Sequence, residues 1–315
     1  MNRKAIIFGI KGKKLKYDEK VLIKNVKHWG IILLSRNIKN INQLKNLTKS
    51  IREIFNDKNY PILIDEEGGS VSRLKKILNF DFPSQYYFGN YYKKDKKNFY
   101  KSYVYFINKI CEIFHKVGIN INTVPVLDVR RNNSHKIIFN RSFSTNPRIV
   151  SILGVLCENL YKKNKIITIV KHVPGHGSST SDSHISLPVV KNKKKELIKK
   201  DFTPFKKTKS LMAMTAHVVY KKYDPIYAAT HSKIIISKVI RKMIGFKGLL
   251  VSDDISMKAL KHGLKKNALM ALKAGCNIIL HCNGNIKEMK ELAKIVPKID
   301  KFTEKKTSDL YKILR

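Results

Sequence analysis

Residues 166–173 read IITIVKHV. The run is mainly apolar, and two ionisable residues, Lys171 and His172, stand near its end. An unbroken apolar run of this length, followed by turn-forming residues, is typical of a strand that is buried on both faces. Seven further runs of β-branched or apolar residues, each bounded by Gly, Asn, Asp or Pro, have the same form. The eight predicted strands are residues 5–10, 29–35, 60–67, 119–129, 166–173, 211–220, 247–256 and 274–283.

Segments with helical periodicity separate these runs. Residues 40–55, 100–118 and 265–275 are examples, and the last ends in Gly275 at an expected helix C-cap. Alternating strands and helices favour a parallel sheet covered by helices, and eight such units predict a single (β/α)8 TIM-type barrel domain over residues 1–315. A doubly wound open sheet is the alternative, although no GxGxxG motif follows the first run.

Ionisable residues stand at the ends of five of the eight runs. In a (β/α)8 barrel, catalytic groups lie at the carboxyl ends of the strands and in the loops that follow them. The sequence therefore predicts a polar pocket at this end of the barrel, built from Asp65, Asp128, Lys171 with His172, His217, and Asp253 with Asp254.

The composition is that of an ordinary globular protein, with 43% hydrophobic and 28% charged residues among 315. No apolar run approaches the roughly 18 to 20 residues of a membrane helix, and the apolar run near the N-terminus is too short for a secretory signal. We therefore expect a cytoplasmic protein without a membrane partner. We also expect a monomer. The four scattered cysteines are predicted to be buried free thiols.

The formal net charge of +41 raises the possibility of nucleic-acid binding. The lysines are spread over the predicted surface helices, however, without the aromatic residues of a base-stacking platform. This distribution indicates a bias of the whole sequence, so we expect no specific nucleic-acid partner.

His172 and His176 have the spacing of two metal ligands on one face of a helix. Val173, Pro174 and Gly175 lie between them, and a proline in this position interrupts a helix. We therefore predict no metal site here.

Two short motifs carry groups suited to catalysis. Asp182, two residues before His184, can fix the tautomer of the imidazole and raise its basicity, although a solvent-facing loop pair would look the same. Asp253 and Asp254 end an apolar run, where a carboxylate serves equally well as a nucleophile or as a helix N-cap.

Asp65 and Arg73 form a third candidate group. Gly68 and Gly69 allow the chain to turn between them. An acid and a guanidinium together suit the hydroxyl groups of a sugar, whereas a buried structural ion pair is the other interpretation.

These motifs occur in an order and spacing that closely resemble glycoside hydrolase family 3, in its bacterial β-N-acetylglucosaminidase branch of cell-wall recycling. The resemblance covers nearly the whole chain. The matching words are WGIILLSRNIKN, IDEEGG, PVLDV, NRSFSTNP, KHVPGHG followed by DSH, MTAHVVY, GLLVSDDISMKAL and AGCNIIL.

The resemblance implies a barrel enzyme that hydrolyses terminal N-acetylglucosamine from muropeptides by a retaining double displacement, with no metal or cofactor. By resemblance, Asp253 is the nucleophile, His184 the general acid and base, and Asp182 its partner. His176 and His217 match histidines that support the pocket. The residues expected to hold the sugar are Asp65, Arg73, Arg141, Lys171 and His172.

Four positions depart from the family pattern. Ser70 replaces an Arg, and Asn140, Ser178 and Asn277 each replace an acid. These departures put the fine fit of the substrate in doubt, and Asn140 leaves Arg141 without its expected neighbouring carboxylate.

Two alternatives to hydrolysis remain open. A histidine acid/base leaves no second carboxylate to repel phosphate, so a glycoside phosphorylase is one. A non-catalytic barrel that binds polyanions is the other, although the DSH and SDD motifs argue against it.

Overall fold

The computed structural model describes residues 2–78, 82–131, 136–179 and 186–315. Eight parallel strands close into a barrel in chain order, and the first strand pairs with the eighth. This confirms the predicted (β/α)8 barrel, with a strand in each of the eight apolar runs. The barrel strands, numbered one to eight, are Lys4–Gly9, His28–Leu33, Ile62–Ile64, Ile121–Asn122, Ile167–Val173, Met212–Thr215, Leu249–Asp254 and Ile278–His281.

At least one helix follows each barrel strand. Local sequence sets their ends: Asn40 caps one helix through its side chain, and Gly118 ends another in the left-handed region at φ 75°. None of the described helices is long and apolar enough to cross a membrane. The α-helices are Tyr17–Val26, Ile41–Phe55, Lys75–Leu78, Gln85–Lys94, Lys96–Val117, Lys136–Phe139, Pro147–Lys163, Lys194–Lys199, Thr203–Lys206, Leu264–Ala274, Ile286–Ile295 and Lys301–Leu314. Ser35–Asn37 and Ala229–His231 are 3-10 turns, and Ile235–Ile244 is a π-helix.

The fourth strand is much shorter than its predicted run. Only Ile121–Asn122 has regular pairing, because Pro125 has no N–H to donate to a sheet. Beyond it, Val126 forms an isolated parallel bridge with Lys171 of the fifth strand. The rest of the run thus leads as irregular chain to the mouth of the barrel, where it ends near Asp128.

The apolar run predicted as the sixth strand forms two separate strands. Met212–Thr215 belongs to the barrel, whereas Val219–Tyr220 pairs with Val189–Val190 in a separate two-stranded sheet. This small sheet lies beyond the carboxyl end of the sixth strand, so it adds to the rim around the barrel mouth.

Two apolar layers hold the barrel together. One lies between the strands and the helices, and the other fills the barrel interior. The final helix, Lys301–Leu314, joins the interior layer through Leu310, and its Thr307 hydroxyl accepts a 2.9 Å hydrogen bond from the Trp29 indole. Members of the interior layer include Ile7, Ile32, Leu63, Ile121, Ile169, Met214, Val251 and Ile278.

The helix Gln85–Lys94 fixes the position of a loop at the barrel mouth. The Gln85 amide donates to the carbonyls of Val126 and Arg141, and its oxygen accepts from the Val126 N–H at 3.0 Å. One turn further on, the backbone of Gly89 lies directly against the carbonyl of Phe143. A side chain at Gly89 would therefore displace the loop that carries Arg141.

We predict that Gly89→Ala destabilises the protein. A Cβ atom at Gly89 would lie 1.7 Å from the Phe143 carbonyl oxygen, so the helix and the loop must separate. Overpacking of this kind costs about 1 to 3 kcal/mol, even though alanine is the better helix former. Urea denaturation measures the free energy of unfolding.

Gly12→Ala is the matched control, because the nearest atom to its added Cβ would be 3.8 Å away. We expect the free energy of unfolding of this variant to lie within about 0.5 kcal/mol of the wild-type value. Equal stabilities for the Gly89 and Gly12 variants would contradict the proposed helix–loop contact.

Candidate active site

A cavity of about 350 Å³ opens at the carboxyl ends of the barrel strands. Its lining brings together polar residues from the third, fifth and seventh strands, and Arg141 from the loop after the fourth. The cavity lies at the predicted end of the barrel. Of the residues predicted to build it, Asp128, His217 and Asp254 are not among those that line it. The lining residues are Asp65, Glu67, Ser70, Val71, Arg73, Ile138, Arg141, Lys171, His172, His176, Met214, Asp253, Leu280 and Cys282.

Asp65 lies at the centre of a group of cations on one wall of the cavity. Its carboxylate accepts from the Lys171 ammonium at 3.0 Å and from the Arg73 guanidinium at 3.3 Å, and it also contacts the Thr123 hydroxyl. Burial by itself raises the pKa of Asp65, but Lys171 and Arg73 outweigh it and hold the pKa below its usual range. Asp65 is therefore an ionised hydrogen-bond acceptor.

Glu67 is a member of this network that the sequence analysis did not single out. Its buried carboxylate binds Arg141 in a bidentate pair, at 2.7 and 2.9 Å, and contacts the Lys171 ammonium at 2.6 Å. Arg141 thus has a carboxylate partner although Asn140 replaces the expected one. Arg141 lacks a carboxylate at the neighbouring position, as expected from Asn140, and Glu67 instead reaches it from another loop, 74 residues earlier in the chain.

His172 faces the cavity and is held from behind by Asp128. Its Nδ1 lies 2.7 Å from the buried Asp128 carboxylate, and its Nε2 lies 3.4 Å from Arg141. Asp128 also accepts the backbone N–H groups of His172 and His176. Burial raises the pKa of Asp128, but the two imidazoles lower it to about 2. Asp128 therefore fixes the orientation of His172 as a charged acceptor.

Lys171 and His172 both line the cavity although they are adjacent in one strand. Side chains in a regular strand alternate between its two faces. The pairing of the fifth strand with the sixth shifts register between Lys171 and Val173. Such an irregularity redirects side chains near active sites, and here it accompanies two neighbouring polar groups on one wall.

His176 lies against His172 with a ring-centroid distance of 5.8 Å. Its ring is buried, and neither ring nitrogen has a hydrogen-bond partner among the described residues. Burial lowers its pKa to about 4, so the ring is neutral at pH 7. The chain between His172 and His176 forms a turn and not a helix, as the Val-Pro-Gly sequence predicted.

The two adjacent acids at the end of the seventh strand have different environments. Asp253 lines the cavity. The Asp254 carboxylate turns away and accepts from the backbone N–H and the hydroxyl of Ser256 at 3.0 and 2.8 Å. Asp254 therefore caps a turn and not a helix, so the helix N-cap left open by the sequence was wrong: the next helix begins only at Leu264. Asp253 is the acid available to a ligand.

The electrostatic surroundings of Asp253 favour its charged form. Burial raises its pKa, but the imidazoles of His217 and His172 and the backbone N–H of Asp254 together lower it. His217 itself is buried, with Nδ1 at 2.7 Å from the Thr230 hydroxyl and Nε2 at 3.0 Å from the Asp254 carbonyl. His217 therefore positions the end of the seventh strand.

The remaining sequence expectations divide by location. His184 and Asp182 lie outside the described residues. Of the departures from the family pattern, Ser70 lines the cavity and is exposed, whereas Asn277 lies at the opposite end of the barrel and accepts from the Leu250 N–H at 2.9 Å. Ser178 donates to the buried carboxylate of Asp201 at 2.8 Å. Of these three, only Ser70 lines the cavity.

A polar cavity at the carboxyl ends of the strands of a (β/α)8 barrel, with an ionised aspartate beside paired acids and cations, is the place and the chemistry of an enzyme active site in this fold. A family model described as the glycosyl hydrolase family 3 N terminal domain matches residues 4–314. The chain belongs to this family, and it is a glycoside hydrolase of the β-hexosaminidase type.

Curated relatives extend over most of the chain. A β-hexosaminidase of Neisseria meningitidis serogroup C is 33% identical over 288 residues, which cover 89% of this chain and 78% of the relative. A β-hexosaminidase of Psychromonas ingrahamii is 34% identical over 297 residues, covering 89% and 83% of the two chains.

Solved structures agree with this assignment. NagZ from Neisseria gonorrhoeae in complex with N-trifluoroacetyl-D-glucosamine superposes with a TM-score of 0.89 at 30% identity, covering 98% of this chain and 90% of that one. A β-N-acetylglucosaminidase from Thermotoga maritima gives a TM-score of 0.78 at 26% identity, covering 98% and 66%.

Glu66, between two residues of the cavity wall, leads to a prediction about pH. It is buried and accepts the backbone N–H groups of Arg73 and Leu74 at 2.8 and 2.9 Å. Burial raises its pKa from 4.5 to about 7. Because the folded state binds this proton more tightly, stability is expected to fall as pH rises from about 4.5 to about 7, by ~3 kcal/mol.

Glu66→Gln keeps an acceptor oxygen and cannot ionise. We therefore expect the variant to match the wild type at about pH 4 and to exceed its stability at pH 8, as measured by urea denaturation at the two pH values. A difference between the two proteins that does not change with pH would disprove the assigned titration.

Proposed function

We propose that this enzyme is a retaining exo-β-N-acetylglucosaminidase. Its substrates are muropeptides that carry N-acetylglucosamine on 1,6-anhydro-N-acetylmuramic acid, and its role is peptidoglycan recycling. The observation that carries the proposal is the ionised Asp253 in a cavity large enough for one sugar. The amino-sugar ligand named for the NagZ structure of Neisseria gonorrhoeae supports the choice of sugar.

The cavity favours removal of a terminal residue. Its volume of about 350 Å³ is near the lower end of the roughly 300 to 1,000 Å³ of small-molecule sites. Asp65 offers acceptor atoms to sugar hydroxyls, and Arg73, Arg141 and Lys171 offer donors held in place by their carboxylate partners. His172 adds a ring held by Asp128. These five residues are proposed to bind N-acetylglucosamine.

In the first step, an Asp253 oxygen attacks the anomeric carbon of the sugar. The bond between that carbon and the glycosidic oxygen breaks as the bond to Asp253 forms. The departing oxygen takes a proton from the general acid. The products are a covalent glycosyl-enzyme and the released aglycone.

The carboxylates in the described cavity lining are poor candidates for the general acid. Asp65, Glu67 and Asp253 all have lowered pKa values because of neighbouring cations or imidazoles, so each is ionised at neutral pH. A histidine that titrates near neutrality suits the task better. We assign it to His184, with Asp182 as its partner, on the sequence motif alone.

In the second step, water attacks the anomeric carbon of the glycosyl-enzyme. His184 accepts a proton from the water, and the bond to Asp253 breaks. N-acetylglucosamine leaves with the β configuration retained, and both catalytic groups return to their starting protonation states.

The location of the protein in the cell and its oligomeric state are proposed from the sequence. We propose that the chain acts in the cytoplasm as a monomer, as one catalytic domain without a cofactor. Cell fractionation and sedimentation of the purified protein check these points.

Replacing Asp253 tests the nucleophile. We expect Asp253→Ala to reduce kcat on an aryl N-acetylglucosaminide by about 10³-fold or more, which is roughly 4 kcal/mol of transition-state stabilisation. A 5-fluoro N-acetylglucosaminyl probe should label Asp253 in the wild type, as read by mass spectrometry of peptides.

Asp254→Asn is the matched control, because its side chain can still accept from Ser256. It should keep the label on Asp253 and most of the activity. Label on Asp254, or label that persists in Asp253→Ala, would refute the assignment. N-acetylglucosamine 1-phosphate appearing in phosphate buffer in place of the free sugar would identify a phosphorylase.

Replacing His184 tests the general acid. We expect His184→Ala to slow hydrolysis of substrates with poor leaving groups by about 10² to 10⁴-fold, because these need protonation. The rate of the glycosylation step should fall far less for activated aryl glycosides, because their leaving groups depart without protonation. Equal losses in a leaving-group series would remove His184 from this role.

A further inference from the structure

The cavity lined by Asp65, Lys171 and Asp253, which we propose to bind N-acetylglucosamine, is called the sugar cavity. A second polar cavity, of about 380 Å³, lies beside it at the same end of the barrel. Its walls come from the loops after the fourth and fifth strands and from the segment around the helix Lys194–Lys199. We call it the basic cavity. Its lining residues are Val129, Arg130, Arg131, Thr145, Ser178, Asn192, Glu196 and Lys200.

Two chain segments are shared between the basic cavity and the sugar cavity. Asp128 holds His172 and His176 at the sugar cavity, and the next residues in sequence line the basic cavity. In the other segment, His176 lines the first cavity and Ser178 the second. The two cavities are therefore neighbours, separated by a short length of backbone.

Arg130 is a preorganised cation in the basic cavity. Its guanidinium lies between the rings of Tyr86 and Phe139, with distances of 4.3 and 4.5 Å to the two ring centroids. Its backbone N–H is fixed by the carbonyl of Ser144. No carboxylate lies within ion-pair distance of Arg130 among the described residues. A guanidinium held in this way loses little side-chain freedom when it binds an anion.

The acids near the basic cavity are already occupied. Glu196 contacts Arg131 and accepts from the Asn192 amide at 3.0 Å. Asp201 is buried behind the lining, where it contacts Arg131 and accepts from Ser178. Among the described residues, Arg130, Arg131 and Lys200 carry three positive charges and Glu196 and Asp201 two negative ones, so this part of the cavity has a net positive charge.

We propose that the basic cavity is a subsite for a carboxylate of the aglycone, carried by the acidic stem peptide of the muropeptide. This inference rests on the proposed function. Arg130 and Lys200 donate to the carboxylate while the sugar occupies the neighbouring cavity. The subsite makes the enzyme prefer acidic aglycones over neutral ones, without taking part in the bond-breaking steps.

Steady-state kinetics of Arg130→Gln/Lys200→Gln test the proposal on three substrates. These are a neutral aryl N-acetylglucosaminide, a muropeptide with free carboxylates, and the same muropeptide with its carboxylates amidated. We expect KM for the acidic muropeptide to rise about 10-fold as two exposed charge pairs are lost, with little change for the other two. The wild-type KM for the acidic muropeptide should also rise with salt.

Lys195→Gln is the matched control, because Lys195 is exposed on the adjoining helix and does not line the cavity. It should leave all three KM values unchanged. Equal KM increases on all three substrates would indicate a structural defect and overturn the subsite. An unchanged KM for the acidic muropeptide would overturn it as well.

Calorimetry with the free stem peptide separates this proposal from the proposed function. The wild type should bind the peptide more tightly than the double variant, whether or not the muropeptide is cleaved. Equal binding by the two proteins overturns the subsite. Cleavage of the aryl glycoside without cleavage of the muropeptide overturns the proposed substrate and leaves the binding result to decide the subsite.

Discussion

The buried ammonium of Lys171 is the charge on which the sugar cavity depends. It contributes one cation to two carboxylates, Asp65 and Glu67, which come from the loop after the third strand. A buried carboxylate without a partner is costly, so these acids require a cation nearby. Lys171 supplies it from the fifth strand, and the rest of the network extends outward from this contact through Arg73 and Arg141.

The acids of this network and Asp253 differ in their electrostatic surroundings. The acids that face Lys171, Arg73 or Arg141 are fixed as acceptors, and their charges are matched locally. Asp253 lies on the seventh strand, without an ion pair of its own in the described structure, and imidazoles and a backbone N–H favour its ionised form. The carboxylate that we propose as the nucleophile thus has no ion pair among the described residues, whereas the acids of the network are held by cations.

Much of the fold was predictable because each strand is encoded by a local apolar run. The positions of Asp65, Lys171, His172 and Asp253 were predictable for the same reason, since each ends such a run. The partnership of Glu67 with Arg141 was not, because it joins residues 74 apart through two loops whose approach depends on the closed barrel.

Other features of the structure were also missed. The fourth strand is shorter than predicted because of Pro125. The apolar residues around Pro125 favoured the prediction of a longer strand. The local pattern could not show which of Asp253 and Asp254 faces the cavity, because two adjacent identical residues do not reveal side-chain direction; only the family resemblance pointed to Asp253. The ring contacts of Arg130 were not predictable either, because Tyr86 and Phe139 reach it from two separate helices.

The final helix gives the barrel a closed floor. Leu310 packs into the interior layer, and Thr307 binds the Trp29 indole at the end opposite the sugar cavity. The interior is filled with side chains, as in other barrels of this type, so no passage runs through it. Molecules must therefore enter and leave by one opening. In the proposed mechanism the aglycone lies nearer that opening and departs before the sugar, so the architecture sets the proposed order of product release.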